Sequence, residues 1–329
     1  MKKIEIALEY RNKFGFEMPT LKLARILYNE NKLFFKDVEE ARYTLRRIEN
    51  KSSTHTKKFE KFEKLVPKKR PLNPYKIPKS DEEIFTPYII PQKYKRGLII
   101  SDIHLPYHNE KALISVFNFG KKFKPDFIFI NGDLLDFHQL SYFMKDPRKK
   151  RFNEELEMMK NFIEELNRVF KCKIFYKFGN HEERYDHFLF QKAHELVGVE
   201  EFNLEEIIKK RVPDVEIIRD KRIVVMNGLP FIHGHEFGRG IFNPVNAARG
   251  LFLQAKHSAV KGDCHTTSEH VETNIFGNIM TTWSVGCLCG LTPKWLPLNK
   301  WNHGFATIEL IGNKNYKFRN YRISKGEIL

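Results

Sequence analysis

The chain has 329 residues, of which 41% are hydrophobic, and it carries 57 Lys and Arg against 41 Asp and Glu. This length accommodates one large domain and one small domain of a water-soluble globular protein. It contains no run of about 18 or more apolar residues, which argues against a membrane-spanning helix and membrane association. The charged N-terminus argues against a secretory signal. Four cysteines favour a reducing compartment, so we expect a cytoplasmic protein.

The positive charge is concentrated in the N-terminal third of the chain. Residues 1–96 contain 24 Lys and Arg against 13 Asp and Glu, whereas the remaining residues contain 33 against 28. A basic segment attached to a nearly neutral domain is typical of contact with a polyanion, most often nucleic acid. The alternative is a lysine-rich composition that only aids solubility.

Residues 1–50 are predicted to form about three short helices. Thr20 is a plausible N-cap of the second helix. The third has apolar residues at helical spacing, with Arg42, Arg46 and Arg47 on its other faces. Three small helices that end in an arginine-bearing one resemble a helix-turn-helix DNA-binding unit. A small oligomerisation or packing module fits the same pattern.

Residues 51–95 are rich in lysine and proline, which predicts a linker without regular structure. Such a segment either lies along a phosphate backbone or only tethers the flanking parts. From residue 96 the pattern alternates between strand and helix, and after residue 213 it is mostly β. This order predicts a layered α/β domain over residues 96–329. We expect its helices at about residues 109–122, 152–169, 183–196 and 244–256.

Five clusters of potential metal ligands follow the predicted strands. They are Ser101-Asp102-Ile103-His104, Asn131-Gly132-Asp133, Gly179-Asn180-His181-Glu182, His233-Gly234-His235 and Gly262-Asp263-Cys264-His265. Strands that end in Asp, His and Asn can direct several ligands into one pocket. Two divalent cations are held side by side in this way, and such a pair suits the hydrolysis of phosphate esters.

The residue types suggest how two metals would be shared. Asp102 and His104 are two residues apart, so at an extended strand end they face the same way and would hold one metal. The Asp133 carboxylate can bridge two cations. Asn180 supplies a neutral amide oxygen and His233 an imidazole for the second metal. His265 would complete the first site. Such a mixture suits Mn, Fe, Ni or Zn better than Ca.

The order D-x-H, G-D, G-N-H-E, H-G and G-x-x-H over roughly residues 97–310 resembles the calcineurin-like metallophosphoesterase family, in its phage and bacterial form. The resemblance implies an α-β-β-α sandwich, here with a small N-terminal helical module. It also implies two metals that share Asp133 and a bridging hydroxide. His181 would lie near the phosphate and protonate or hydrogen-bond the leaving oxygen. Glu182 would orient an imidazole.

One position departs from the family pattern. The last motif of the family is usually Gly-His-x-His, but here Asp263 stands where a histidine ligand of the second metal is usual. Aspartate is a harder donor for the same metals, which favours Mn or Mg or weakens the second site. An alternative alignment supplies His235 instead; we favour Asp263. We therefore expect two divalent metal ions, with Mn as the first choice.

Two further features bear on the substrate. His138 and the basic loop after it, with Arg148, Lys149 and Arg151, are expected to contact a phosphate backbone. The alternative is a solvated flank of the next helix. The three tryptophans form either a wall of the substrate site or part of the core of a second sheet, and the core is favoured. They are Trp283, Trp295 and Trp301.

Three functions fit these observations. The first is a metal-dependent nucleic-acid phosphodiesterase, a nuclease, with DNA as the favoured partner. The second is a phosphomonoesterase that acts on a phosphoprotein or a small phosphate compound. The third is a nucleic-acid-binding protein in which the substitution at Asp263 has weakened catalysis. The basic N-terminal third favours the first function over the second, and the otherwise complete ligand set disfavours the third.

Overall fold

The computed structural model describes residues 3–15, 18–49, 77–237, 245–312 and 315–329. The chain divides into two compact units, residues 1–84 and residues 85–329, and each is described by itself. The first 26 residues of the expected linker, 51–76, lie outside the described residues. None of the described helices is both long and apolar enough to cross a membrane.

The smaller unit consists of the three expected helices, α1 (Lys3–Phe14), α2 (Thr20–Glu30) and α3 (Val38–Ile48). They pack around a small apolar core because each helix has buried residues at spacings of three and four. That core contains Ile6, Ala7, Leu23, Ala24, Leu27, Phe35, Ala41 and Leu45. The smaller unit therefore buries a hydrophobic core of its own.

A buried carboxylate joins the three helices. Pro19 is the N-cap of α2, so the expectation that Thr20 caps this helix was wrong. The Thr20 hydroxyl instead donates to Glu49, at 2.7 Å. Glu49 also forms an ion pair with Arg11, whose side chain is buried in α1. A charged pair in this position is satisfied on both sides, as burial requires.

The larger unit contains two β-sheets among its described residues. The strands of the first sheet are β2 (Arg96–Ile100), β3 (Phe127–Asn131), β4 (Lys173–Lys177), β5 (Glu216–Ile218), β11 (His303–Ile311), β12 (Asn315–Ser324) and β13 (Glu327–Ile328). This seven-stranded sheet has the order β13-β12-β11-β2-β3-β4-β5, in which β2 to β5 are parallel and β11 to β13 antiparallel.

The strands of the second sheet are β1 (Tyr88–Ile89), β6 (Val224–Met226), β7 (Leu229–Phe231), β8 (Ala259–Lys261), β9 (Ser268–Thr273) and β10 (Ile279–Ser284). This six-stranded sheet has the order β1-β6-β7-β8-β10-β9. Strand β1 pairs in parallel with β6. The expected linker over residues 51–95 therefore extends too far, because residues 88–89 are part of this sheet.

Helices cover the outer faces of both sheets. They are α4 (Glu110–Phe123), α5 (Phe152–Phe170), α6 (Glu183–Lys192), α7 (Leu204–Lys209) and α8 (Ala247–Ala255). Residues of α4 and α5 pack on one face of the seven-stranded sheet, and Leu251 of α8 packs beside β8 of the other sheet. Between the sheets lie apolar residues of both, including Phe129 and Phe231. This is the expected α-β-β-α sandwich.

The topology directs the metal-ligand clusters to one edge. The ends of β2, β3, β4, β7 and β8 each precede one of the five clusters. The first three strands run parallel in one sheet, and β7 and β8 run parallel in the other. The carboxyl ends of parallel strands meet at the same edge, which is where α/β sheets commonly bind ligands.

Candidate metal centre

Several predicted ligands have a left-handed backbone conformation. The φ angles are 55° for Asp102, 51° for His104, 52° for Asp133, 59° for Asp263 and 53° for His265. Non-glycine residues rarely adopt this region, and such outliers cluster at functional sites. Strand β2 ends at Ile100. Asp102 and His104 therefore converge because the chain turns beyond the strand, and not because an extended strand end directs both the same way.

The first cluster joins Asp102, His104 and His265. The Nε2 atoms of the two histidines are 3.1 Å apart. Oδ1 of Asp102 lies 3.2 Å from Nε2 of His265 and 4.0 Å from Nε2 of His104. Oδ2 of Asp133 lies 3.6 Å from Nε2 of His104. These four side chains are the ones that the sequence assigned to the first metal.

The second cluster also contains Asp133. Its Oδ2 atom lies 3.2 Å from Nε2 of His233, and the amide oxygen of Asn180 lies 3.1 Å from the same nitrogen. Oδ1 of Asp263 is 3.9 Å from it. The ring of His235 contacts that of His233, with centroids 5.5 Å apart, but its Nε2 atom hydrogen-bonds to Oε1 of Glu183 at 2.9 Å, so this nitrogen is directed to Glu183 and not to the cluster.

The ring orientation of the three histidines suits metal binding. Each has a partner at Nδ1, which leaves Nε2 directed into the cluster. The partners are the carbonyl of Asn131 for His233 at 2.7 Å, the carboxylate of Asp136 for His104 at 3.3 Å, and the thiol of Cys289 for His265 at 3.8 Å. Two Nε2 atoms that face each other need a cation or a proton between them. The donor set of imidazole, carboxylate and amide groups therefore fits two divalent cations.

The electrostatics of the centre also favour a bound cation. Burial acts to raise the pKa of Asp133, but His233 and His181 outweigh it and hold this pKa well below its usual range. For His233, burial acts to lower the pKa, but the carboxylate of Asp133 raises it well above its usual value. The carboxylate is thus ionised and stabilises positive charge beside it.

His181 lies against both clusters. Its backbone N–H donates to Oδ1 of Asp133 at 3.0 Å, and its Nε2 atom lies 3.8 Å from Oδ2 of the same residue. Its ring centroid is 4.4 Å from that of His104. The imidazole therefore lies beside the Asp133 carboxylate that the two clusters share, and its Nε2 atom is farther from Oδ2 than those of His104 and His233.

Glu182 has a different role from the one expected. Its carboxylate accepts hydrogen bonds from the backbone N–H groups of Gly179, Asp133 and Leu135, at 2.7, 3.0 and 2.9 Å, and from the hydroxyl of Tyr176, at 2.6 Å. No imidazole is among these partners in the described part of the chain. Glu182 fixes the backbone of the sequence motifs that contain Asp133 and Asn180, because a buried carboxylate needs several donors.

Asp136 orients the imidazoles instead. Its Oδ1 atom lies 3.3 Å from Nδ1 of both His104 and His181. Burial opposes the charge of Asp136, but the two imidazoles beside it hold its pKa far below the usual range. The sequence analysis missed this residue, although its position three residues after Asp133 was an available signal.

Arg184 was also missed. Its Nη2 atom lies 2.9 Å from Nε2 of His181, and its Nη1 atom donates to the carbonyl of Asp136 at 2.7 Å. The guanidinium is thus fixed beside the imidazole of His181. In the sequence it is one of many arginines, so no pattern distinguished it.

Two of the predicted substrate-binding residues belong to the internal structure of their loop. Nε2 of His138 accepts the backbone N–H of Asp146 at 3.3 Å. The Arg148 side chain is 85% exposed and forms an ion pair with Asp146, at 2.8 Å. His138 therefore stabilises the loop, and the charge of Arg148 is partly balanced by its neighbour.

The other two predicted substrate-binding residues, Lys149 and Arg151, differ in what surrounds their charged groups. Nζ of Lys149 lies 4.6 Å from the ring centroid of Tyr107, which follows His104 by three residues. This cation–π contact places the lysine beside the segment that carries the first cluster. Arg151 is exposed at the N-cap of α5. Of the four residues, Lys149 is thus the one with a described link to the metal centre.

The tryptophans do not form one group. Trp283 is only 9% exposed and packs between the sheets, as favoured from the sequence. Trp301 lies against His265, with the ring centroids 4.1 Å apart, and Trp295 is 73% exposed. The expectation that the tryptophans belong to the core is therefore wrong for Trp295.

A buried carboxyl near the site predicts a pH-dependent stability. Glu155 is only 1% exposed and accepts the N–H of Phe137 at 2.6 Å. Burial and the charge of Asp136 raise its pKa from 4.5 to about 8, although this hydrogen bond opposes the shift. Between these pH values the folded chain keeps a proton that the unfolded chain loses. The free energy of unfolding therefore falls as the pH rises through this window.

We expect Glu155→Gln to remove this part of the pH dependence. With a chelator present, the thermal midpoint of the variant should match that of the native protein near pH 5 and exceed it by several degrees above pH 8, at about 2–4 °C per kcal/mol. Glu164→Gln, at an exposed position of the same helix, is the control and should follow the native curve. A constant difference between Glu155→Gln and the native protein at all pH values would contradict the assignment.

Comparisons with known proteins agree with the geometry of the centre. The sequence model of the calcineurin-like phosphoesterases matches residues 96–274. The Gene 54 protein of Mycobacterium phage L5 is 26% identical over 230 residues, which are 66% of this chain and 90% of the phage protein. The Gene 54 protein of Mycobacterium phage D29 is 24% identical over 233 residues, which are 67% and 90% of the two chains.

Among solved structures, Vacuolar Protein Sorting 29 from Cryptosporidium parvum is similar at a TM-score of 0.41 and 13% identity, over 72% of this chain and 95% of that one. The family model spans more than half of the chain and includes the clusters that hold Asp102, Asp133, His233 and Asp263. The chain therefore belongs to the calcineurin-like phosphoesterase family and is a metal-dependent hydrolase of phosphoric esters.

Proposed function

We propose that this hydrolase cleaves phosphodiester bonds of nucleic acid, with DNA as the favoured polymer. The observation that carries the proposal is that two ligand clusters share Asp133 and that His181 lies beside them. Two divalent cations bound there would supply Lewis acidity and a water molecule of lowered pKa. The residues around them then need only to orient the phosphate and move one proton.

The protonated His181 is the proposed leaving-group acid. Asp136 contacts its Nδ1 atom, and Nε2 accepts a hydrogen bond from Arg184 in the structure. When the substrate phosphate binds the guanidinium, Nε2 is released to carry a proton and to donate it to the oxygen of the leaving strand as the P–O bond breaks. Arg184 places its guanidinium beside the same nitrogen, where it can bind a non-bridging phosphate oxygen. A positive group fixed in advance stabilises the charge that develops on the phosphate.

Charge supports nucleic acid as the substrate. In the smaller unit, helix α3 exposes Arg46 and Arg47, together with Tyr43, which is 63% exposed. A basic helix with an exposed aromatic ring suits a phosphate backbone. Lys149 adds a cation over the ring of Tyr107, three residues after the candidate ligand His104. These features favour a nucleic-acid diester over a small phosphate monoester.

The donor set also supports a choice of metal. Asp263 supplies a carboxylate to the second cluster where an imidazole is usual, so the ligand atoms of this cluster are chemically harder donors than those of a histidine-rich one. We propose Mn as the metal, because it accepts imidazole and carboxylate oxygen alike. None of the four cysteines, all of which the structure describes, forms a disulfide. This supports a cytoplasmic location.

The proposal is tested with three substrates and added Mn²⁺. We expect the protein to hydrolyse bis-p-nitrophenyl phosphate faster than p-nitrophenyl phosphate, and to cleave DNA. Deletion of residues 1–84, which keeps β1 in its sheet, should weaken DNA binding and reduce the salt dependence of the affinity, because phosphate contacts are lost. The small diester should still be cleaved.

Two results would contradict the proposal. A preference for the monoester would favour the phosphomonoesterase. An unchanged DNA affinity with an unchanged salt dependence after the deletion would show that the N-terminal unit is not a binding module. A substitution that keeps the unit, Arg47→Glu, separates loss of charge from loss of the whole fold and should reduce the DNA affinity in the same direction.

A further inference from the structure

Two tryptophans in contact, Trp301 and Trp295, extend from the metal centre to the surface; this pair is called the aromatic step. The ring of Trp301 lies against His265 of the first cluster, with centroids 4.1 Å apart. The ring of Trp295 lies 5.7 Å from that of Trp301, at an interplanar angle of 66°. Trp295 is 73% exposed. Only two ring contacts therefore separate a predicted metal ligand from a large aromatic face in solvent.

The loop that carries the step is held by its own hydrogen bonds. The Asn299 side chain donates to the carbonyls of Leu291 and Leu296, at 2.7 and 2.9 Å, and accepts the backbone N–H of Trp301 at 2.9 Å. The next residue, Asn302, donates its backbone N–H to the carbonyl of His265 at 2.9 Å. The exposed ring of Trp295 is thus preorganised and fixed relative to the ligand, which lowers the cost of ordering it on binding.

The charge around the step is positive. Lys294 precedes Trp295, and Lys300 precedes Trp301; both lysines are exposed. Lysines that alternate with aromatic rings are typical of surfaces that follow a phosphate backbone while bases stack on the rings. An apolar protein partner would not require this repeated pairing of an ammonium group with a flat ring.

We propose that Trp295, supported by Trp301, stacks a nucleobase of the strand that is being cleaved, so that the preferred substrate is unpaired nucleic acid. This inference rests on the proposed nuclease function and names its substrate class. Inside a duplex each base face is covered by its neighbours. Only a single strand, a frayed end or a displaced base offers a free face to an exposed indole.

The test compares base-dependent binding in the full chain. The probes are a short end-labelled oligodeoxythymidylate and an abasic oligomer of the same length and charge, and anisotropy is read with Ca²⁺ in place of the catalytic metal. Stacking is worth about 1–3 kcal/mol per base, so Trp295→Ala should weaken thymidylate binding about 5- to 150-fold. Trp295→Phe keeps a ring and should restore most of the affinity. Binding of the abasic oligomer should be equally weak for both variants and the native protein.

A matched control uses a second exposed aromatic residue of the same unit. Phe276 is 80% exposed in the turn between β9 and β10, and Phe276→Ala should bind both probes as the native protein does. The inference is overturned if Trp295→Ala binds thymidylate normally, or if it loses affinity for both probes equally. Failure of the nuclease function appears separately, as a native enzyme that cleaves no oligonucleotide; failure of stacking appears as an active nuclease without base-dependent affinity.

Discussion

Replacement of Asp133 by Asn is expected to remove both metal ions and to reduce diester hydrolysis by about 10³-fold or more, since the cations contribute several kcal/mol of charge stabilisation. The Asp133 carboxylate faces His104 of one cluster and His233 of the other, at 3.6 and 3.2 Å. An amide has nearly the same shape but no charge. The metal content after gel filtration measures the first effect, and hydrolysis of bis-p-nitrophenyl phosphate measures the second.

Asp263→Ala is the matched comparison for this prediction. The Asp263 carboxylate lies in the second cluster, 3.9 Å from Nε2 of His233. Its backbone N–H donates to Asp102 of the first cluster, and the substitution keeps this group. We therefore expect this variant to retain one metal ion per chain, whereas native protein retains two and Asp133→Asn close to none. Two ions retained in Asp133→Asn would mean that the carboxylate is not shared. Two ions retained in Asp263→Ala would mean that another group holds the second metal.

Replacement of His181 by Gln is expected to lower kcat for DNA cleavage by about 10²–10⁴-fold, the usual contribution of a positioned acid, while both metal ions remain bound. The imidazole is 3.8 Å from Asp133 and is oriented by Asp136. The loss should depend on the leaving group. A nucleotide alkoxide needs a proton to leave, whereas p-nitrophenolate leaves without one, so the loss should be large with DNA and small with bis-p-nitrophenyl phosphate.

His187→Gln is the control, because His187 is an exposed histidine of α6, the helix that begins two residues after His181. It should leave both rates and the metal content unchanged. Equal losses with the two substrates in His181→Gln would contradict the acid role. They would indicate that His181 binds the phosphate instead, in the manner proposed for Arg184.

Much of the fold followed from local patterns. Apolar runs that end in polar residues predicted β2, β3 and β4, because strands buried on both faces have no room for charge along their length. The spacing of Leu156, Met159 and Ile163 predicted α5, where all three are buried. Strand β1 was missed, because two residues between Pro87 and Pro91 carry no period and their pairing with β6 is a long-range contact.

The sequence by itself determined the kinds of ligand and their order along the chain, from Asp102 to His265, because metal chemistry depends on donor type and each motif is local. Only the tertiary structure decided which atoms meet. It brought the carboxylate of Asp263 to 3.9 Å from Nε2 of His233, and it brought Nε2 of His235 to Glu183. It also gave Asp136, and not Glu182, the imidazole contacts.

The physical reason is that these contacts join residues from different strands and depend on backbone turns that no short pattern encodes. The left-handed conformations at Asp102 and Asp133 set the direction of each side chain, and such conformations persist only where the surrounding structure holds them. The exposure of Trp295 has the same origin. A tryptophan in a sequence predicts a buried side chain. The hydrogen bonds of its loop and its position beyond Trp301 instead place Trp295 in solvent.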